Sequence, residues 1–207
     1  RAQRAIDEGL NQKEIAPVTI RTRRGEHTVS VDEQPHKANL EKIPQLRPAF
    51  AENGTITPAN SSSISDGASA RLLASVQAVE AHGLTARARI VAHSRNSLAP
   101  EAFTLAPIGA AEEVLAKAGW TVADVDLWEI NEAFAMVTML TVDALKLDPT
   151  CVNVHGGACA QGHPIGSTGS RIIVTLMHAL EHYGKKRGVA ALCIGGGEAT
   201  AVAIELV

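Results

Sequence analysis

"GVAALCIGGGEATAVAIELV", Gly188 to Val207, is the stretch that decides the fold. Its opening, "GVAALCI", is an unbroken apolar run, the pattern of a strand buried on both faces. "EATAVAIELV" alternates, the pattern of a strand with one face covered. Only a few glycine-rich residues join the two. A link that short closes a hairpin and cannot make a parallel crossover. The chain therefore ends in two antiparallel neighbours.

Upstream, strands and helices alternate. "SRIIVTLMHALEHYG" (Ser170 to Gly184) is a helix apolar on nearly every face, hence buried. "ARARIVAHS", "DVDLWEINE" and "CVNV" read as strands. "PIGAAEEVLAKAGW" reads as an amphipathic helix and "AFAMVTMLTVDALKL" as a strongly apolar one. Strands alternating with helices argue for an α/β layer structure. With the closing hairpin, the sheet is expected to be mixed and five-stranded.

The amino-terminal third has a different character. "RAQRAIDEGL" reads as a helix end closing near Gly9, and "EIAPVTIRT" (Glu14 to Thr22) as a strand. Residues 23–63 are polar and turn-rich, with Pro35, Pro44, Pro48, Pro58 and Gly54 and one helical turn in "LEKIPQL". They read as an excursion from a compact core. "ASARLLASVQAVEAHGL" after Ile64 suits either a helix or a strand.

The 207 residues are 45% hydrophobic but only 3% aromatic, so Val, Ile, Leu and Ala must fill the core. A net charge of −3 gives no reason to expect nucleic acid or an anionic membrane as partner. The one basic cluster, "RTRRGEH" (Arg21 to His27), reads first as a solvated turn. No apolar run approaches the ~20 residues of a bilayer span. No signal peptide is visible, and an Arg at position 1 inside a helical pattern points to a cropped or processed chain. Cys151, Cys159 and Cys193 make no disulfide framework, which favours a reducing compartment.

Three stretches carry chemistry that their surroundings do not require. "INEAFA" puts Asn131 and Glu132 at a strand–helix junction. "GGACAQGHPIG" surrounds His163 with Gly162, Pro164 and Gly166. "LCIGGG" puts Cys193 at a strand end ahead of Gly195. Each sits at a strand end, where α/β sheets meet ligands. Singly, Asn131 reads as a helix cap, His163 as a turn histidine, and Cys193 as a core thiol. Together, amide, imidazole, thiol and bare backbone are a full set for carbonyl chemistry. His155, Cys159 and His163 are spaced as metal ligands on a helix would be, but the glycines and Pro164 among them disfavour that helix. No metal is expected.

"NEAFA", "NVHGGACAQGHPIGSTGSR" and "LCIGGGEATA" together resemble, in order, the carboxyl-terminal motifs of the thiolase family. "RAQRAIDEGLNQKEIAPV" resembles the helix and strand leading into that family's loop domain. "LRPAFAENGTITPANSSSISDGA" resembles its coenzyme A-contacting segment. The resemblance implies a layered αβαβα fold. Residues 1–63 would belong to the loop domain, 64–85 to the last piece of the amino-terminal half, and 86–207 to the carboxyl-terminal domain. The nucleophilic cysteine of the family lies in a Cys-x-Ser-Gly motif of its first half, and no such motif occurs here. The rest of that half is expected to be cropped or supplied elsewhere, and this segment alone to be unstable and inactive.

The resemblance also implies roles. His163 would activate the nucleophile, Asn131 would hold an oxyanion-hole water, and Cys193 would move the proton on the acetyl α-carbon. Gly195 would offer an oxyanion N–H. A thiol suits the third role because its pKa, near 8.5, can be tuned downward. Ser62 and Ile64 would line the pantetheine passage and Phe134 would sit near the acyl group. His36 stands, with Lys37 beside it, where the family carries an arginine near the coenzyme's nucleotide. The implied reaction is reversible thiolysis of 3-oxoacyl-CoA, or condensation of acetyl-CoA, with coenzyme A as substrate and no covalently bound cofactor. A homodimer or homotetramer is implied, in the cytoplasm of a bacterium or the mitochondrion or peroxisome of a eukaryote. The alternatives are an acyl-CoA-binding or scaffolding subunit without a nucleophile, and a condensing ketosynthase. The last is disfavoured because that group lacks the "CIGGG" cysteine.

Overall fold

A computed structural model describes residues 1–207. A short helix α1 (Ala2–Asp7) leads to an antiparallel hairpin, β1 (Val18–Thr22) with β2 (Gly25–Val29). Then come α2 (Gln34–Lys37), a 3-10 turn at Leu40–Gln45 and α3 (Val76–Ala81). The α/β unit follows as β3 (Ala88–Ser97), α4 (Ala106–Ala118), β4 (Leu127–Ile130), α5 (Ala135–Leu145), α6 (Ala158–Gln161), α7 (Thr168–His182), β5 (Arg187–Ile194) and β6 (Glu198–Leu206).

The main sheet runs β3-β6-β5-β4. β5 and β6 pair antiparallel, as the short glycine link requires, while β4 and β5 are parallel. The sheet is therefore mixed. Side-chain alternation sorts its two faces. Trp128, Ile130, Val189, Ala191, Ala199, Ala201 and Ala203 pack with Ala106, Ala110, Ala111 and Val114 of α4. Leu127, Ala190 and Ile204 pack with Ile172, Ile173, Leu176 and Leu180 of α7. Small residues set the spacing: a Cβ on Gly188 would lie 2.8 Å from Leu176 Cδ1. α7 is as enclosed as its composition demands, with no exposed residue from Thr168 to Leu180. The strip facing away from the sheet is covered in part by the amino-terminal segments. The Thr175 hydroxyl donates to Glu14, Arg71 to Ser170, and Ser69 and Ser167 share a hydrogen bond.

One correction concerns the fifth strand. "CVNV" forms no strand, and the sheet has four. Pro149–Cys151 is a 3-10 turn, and Asn153 has φ 48°, a conformation that ends an extended run. Only Val152 makes a parallel bridge, to Trp128. The Asn153 side chain takes over the pairing. Its Oδ1 accepts from Ile130 N–H and its Nδ2 donates to Ile130 C=O, both at 2.8 Å. One amide side chain thus satisfies the edge of β4.

β2 and the 3-10 turn at Pro100–Leu105 had no sequence expectation. The β1–β2 hairpin is exposed on both faces, so it carries no alternation to read. The basic "RTRRGEH" turn is its tip, with Arg21 and Glu26 paired across the strands at 2.8 Å.

Candidate active site

The stretch around His163 begins at α6, a single turn too short to bring His155, Cys159 and His163 onto one helical face. No group of three or more His, Cys, Asp or Glu side chains is arranged to hold a metal. Gly162 has φ 85°, and a Cβ there would collide with Ser65. That close approach lets residues 63–65 run alongside His163. Ser63 C=O accepts from His163 N–H at 3.0 Å, and Ile64 makes a parallel bridge to His163.

The imidazole is oriented by Thr168, at the start of α7. Thr168 Oγ1 lies 2.7 Å from His163 Nδ1 and 3.0 Å from Pro164 C=O. A hydroxyl has one proton to give, and the carbonyl can only accept. Thr168 therefore donates to Pro164 and accepts from Nδ1–H. This assigns the tautomer, leaving the Nε2 lone pair bare. Asn131 Nδ2 stands 3.5 Å from that Nε2. Burial first, and the charge of Arg171 second, hold the His163 pKa below its ordinary 6.5. The ring is neutral and ready to take a proton at physiological pH.

Asn131 continues β4 past Ile130, with its N–H bonded to Ala191 C=O of β5 at 2.9 Å. It is buried, and its Oδ1 has no protein partner. Glu132 anchors the turn that follows. Its Oε2 accepts from Cys159 N–H at 3.1 Å and its Oε1 from Asn153 Nδ2 at 3.4 Å. Ser62 donates to Ala133 C=O from both N–H and hydroxyl, and Ser61 bridges to Phe134. Phe134 meets Phe50 and Phe103 edge to face, with centroids 6.0 and 6.3 Å away. Asn131, His163, Ser62, Ile64 and Phe134 thus belong to one connected region. Ile64 is 93% exposed, free to meet a ligand.

Cys193 and Gly195 join this region through the sheet. Asn131 N–H bonds Ala191, two residues before Cys193 on β5. Burial pushes the Cys193 thiol up, so it holds its proton at neutral pH. A thiol can be tuned downward by a nearby cation, but Cys193 sits on a covered strand with none beside it to lower the value. Gly195 lies in the open turn after β5. Its N–H bonds no protein acceptor, and nothing stands within 4 Å of where a Cβ would be. His36 is on α2, with Nε2 3.4 Å from Asp7 Oδ1. α2 reaches the central region through Gln34, which donates to Ser63 Oγ at 2.7 Å.

Burial and the Glu132 carboxylate push the Cys159 thiol up to about 12. Neither Cys159 nor Cys193 is therefore a thiolate nucleophile at neutral pH. A cleft of about 410 Å³ opens beside the His163 turn, lined by Ser65, Gly67, Ser69, Pro164 and Ser167. A larger cavity, about 570 Å³, lies between α5 and the Pro149–Asn153 turn and includes neither His163 nor Cys193.

Sequence reasoning missed Thr168 and Asn153 and gave Glu132 no role. Thr168 had a readable signal, a hydroxyl at the start of the helix that follows the histidine turn. Asn153 had none, since its part depends on a left-handed backbone.

A family model described as "Thiolase, C-terminal domain" matches residues 84–206, and one described as "Thiolase, N-terminal domain" matches residues 1–77. Cytosolic acetyl-CoA acetyltransferase of Mus musculus is 47% identical over 99% of this chain and 52% of its own length. Mitochondrial 3-ketoacyl-CoA thiolase of Bos taurus is 43% identical over 97% of this chain and 51% of its own. Among solved structures, Bacillus anthracis acetyl-CoA acetyltransferase superposes with a TM-score of 0.92 at 39% identity, covering 100% of this chain and 52% of its own. Human mitochondrial 3-ketoacyl-CoA thiolase in complex with CoA gives 0.89 at 36% identity, covering 100% and 51%. The chain spans about half the length of the relatives it matches.

Proposed function

This chain belongs to the thiolase family, and from that premise we propose that it supplies the proton-handling half of an acetyl-CoA C-acyltransferase acting on 3-oxoacyl-CoA. Residues 1–63 serve as loop-domain, coenzyme A-contacting structure, 64–85 as the end of the amino-terminal half, and 86–207 as the carboxyl-terminal domain. The observation that carries the reading is the fixed tautomer of His163, with its bare Nε2 facing the Asn131 amide.

In thiolysis, His163 Nε2 takes the proton of a nucleophilic thiol that is none of Cys151, Cys159 and Cys193. The thiolate attacks the 3-oxo carbonyl of the acyl-CoA, and the Gly195 N–H, with a second donor from the nucleophile's own segment, stabilises the oxyanion. The bond between C2 and C3 then breaks. Its electrons go to the acetyl-CoA fragment, and Cys193 delivers a proton to the new carbanion. A thiol raised by burial suits this step, because it begins protonated. His163 Nε2, with a water held by Asn131, stabilises the thioester oxygen of the acetyl-CoA fragment. Coenzyme A finally takes the acyl group from the enzyme: its thiol proton passes to the Cys193 thiolate, and the released nucleophile recovers its proton from His163. Ser62, Ile64 and Phe134 line the path of pantetheine and acyl group, and His36 lies toward the nucleotide end.

The test is thiolysis of acetoacetyl-CoA and longer 3-oxoacyl-CoA by the full-length protein. Cys193→Ala abolishes carbon–carbon cleavage but leaves some acylation by acetyl-CoA, whereas His163→Ala impairs acylation by either substrate. Near-normal thiolysis in both variants overturns the roles. A full-length protein that binds acyl-CoA without cleaving it is a binding subunit instead.

A further inference from the structure

The chain has only three phenylalanines, and none belongs to either apolar cluster of the core. All three gather instead at the Asn131 turn. Phe134 is the N-cap residue of α5, three residues past Asn131. Three residues of extended chain span at most roughly 11 Å, so Phe134 stays close to the Asn131–His163 pair. Its ring is half-buried, with Phe50 and Phe103 in edge-to-face contact at centroid distances of 6.0 and 6.3 Å.

The two flanking rings come from different segments, and each segment is anchored. Phe103 lies on the Pro100–Leu105 turn, which packs against α5, β5 and β6. That turn leaves β3 alongside the glycine turn that follows Cys193. Leu98 N–H donates to Gly197 C=O at 2.9 Å, and a Cβ on Gly197 would collide with Leu98 C=O. Phe103 therefore connects the glycine turn to the Asn131 turn. Phe50 comes from the amino-terminal excursion. Ala49 N–H donates to Ile56 C=O at 2.8 Å, and Asn60 C=O accepts from Ala135 N–H, at the start of α5, at 2.9 Å. Phe134 is thus held between two fixed rings.

A hydrocarbon chain needs about 3.5–4.0 Å to the carbons on each side of it. Rings already in contact leave no such passage between them. Neither the cleft beside the His163 turn nor the cavity beside α5 is lined by any of the three rings. An acyl group that reaches Phe134 stops there.

We propose that Phe103 and Phe50 are specificity-determining residues: they hold Phe134 as the end wall of the acyl site and confine the substrate to short 3-oxoacyl-CoA, acetoacetyl-CoA ahead of longer chains. The inference rests on the thiolase reading and deepens it by naming the substrate class.

The experiment measures kcat/KM of the full-length protein with acetoacetyl-CoA and 3-oxooctanoyl-CoA. The wild type prefers the shorter substrate by about a hundredfold, the discrimination of a pocket that rejects added methylenes. Phe103→Ala and Phe50→Ala each lower that preference by about tenfold. Phe50 is 75% exposed, so its variant keeps the fold even where Phe103→Ala does not. A wild type indifferent to chain length, or a preference unmoved in both variants, overturns the inference. Wild-type protein that cleaves neither substrate overturns the enzymatic reading alone. Calorimetric binding then decides the inference: Phe103→Ala or Phe50→Ala raises the affinity for octanoyl-CoA relative to acetyl-CoA by about tenfold, and a ratio equal to that of wild type in both overturns it.

Discussion

The backbone of Gly157 passes directly over the carboxylate of Glu132: a Cβ on Gly157 would lie 2.6 Å from Glu132 Oε1. Gly157 has φ −126°, so its backbone suits any residue, and space alone demands glycine. The contact matters because Glu132 follows Asn131 directly and ties the turn to Cys159 N–H and Asn153. Gly157→Ala must push the carboxylate aside and loosen the turn that aims Asn131. Overpacking of this kind costs about 1–3 kcal/mol. A displaced catalytic group costs on the order of 10²-fold in rate. Denaturant unfolding and thiolysis kinetics of the full-length variant check both, with kcat falling more than KM rises.

Thr168→Val tests the tautomer. Valine keeps the shape but removes the acceptor for His163 Nδ1–H, leaving that donor buried and unpaired at about 1–3 kcal/mol. The ring can then place its proton on Nε2, the atom that must be bare. Activity falls by about tenfold or more, out of the 10²–10⁴-fold that general base catalysis contributes. Thr168→Ser keeps the hydroxyl and most of the rate. Equal rates in Ser and Val variants would remove Thr168 from the account.

Asn153→Ala tests the side chain that stands in for a strand. It strips both hydrogen bonds from the buried backbone of Ile130. Unsatisfied buried groups cost about 1–3 kcal/mol each. Asn also tolerates its φ of 48° better than Ala does. The variant should lose about 2–5 kcal/mol by urea unfolding. Asn153→Asp restores one acceptor only and should fall between.

These variants mark where sequence reading stops. The β5–β6 hairpin was legible because three glycines cannot span a crossover. α7 was legible because a helix apolar all round has to be enclosed. Asn131, His163 and Cys193 stood out as polar groups at ends of apolar elements. "CVNV" misled because β-rich composition does not report the left-handed turn at Asn153, on which the replacement of a strand by an amide depends. Thr168 and Gly157 act through contacts with single atoms of other residues, and no periodicity encodes those. The upward shift of Cys193 likewise follows from what covers it and not from its neighbours in sequence.

His155 gives a pH prediction independent of catalysis. It is fully buried with neither ring nitrogen hydrogen-bonded, packed against His182 and Tyr183 at centroid distances of 6.2 and 5.6 Å. Burial first, then the charges of His182, Arg4 and His178, lower its pKa to about 4. In the unfolded chain it titrates near 6.5. Between those values the unfolded state holds a proton that the folded state does not, so unfolding becomes easier as pH falls. The contribution is complete above about pH 6.5 and is lost progressively toward pH 4, to a total of about 3 kcal/mol. His155→Phe removes the titration and fills the same aromatic site. Urea unfolding of the full-length protein at pH 7 and pH 5 should therefore show a smaller drop in stability for the variant than for wild type. An identical drop would mean that His155 is charged in the folded state, with a partner or water on its ring.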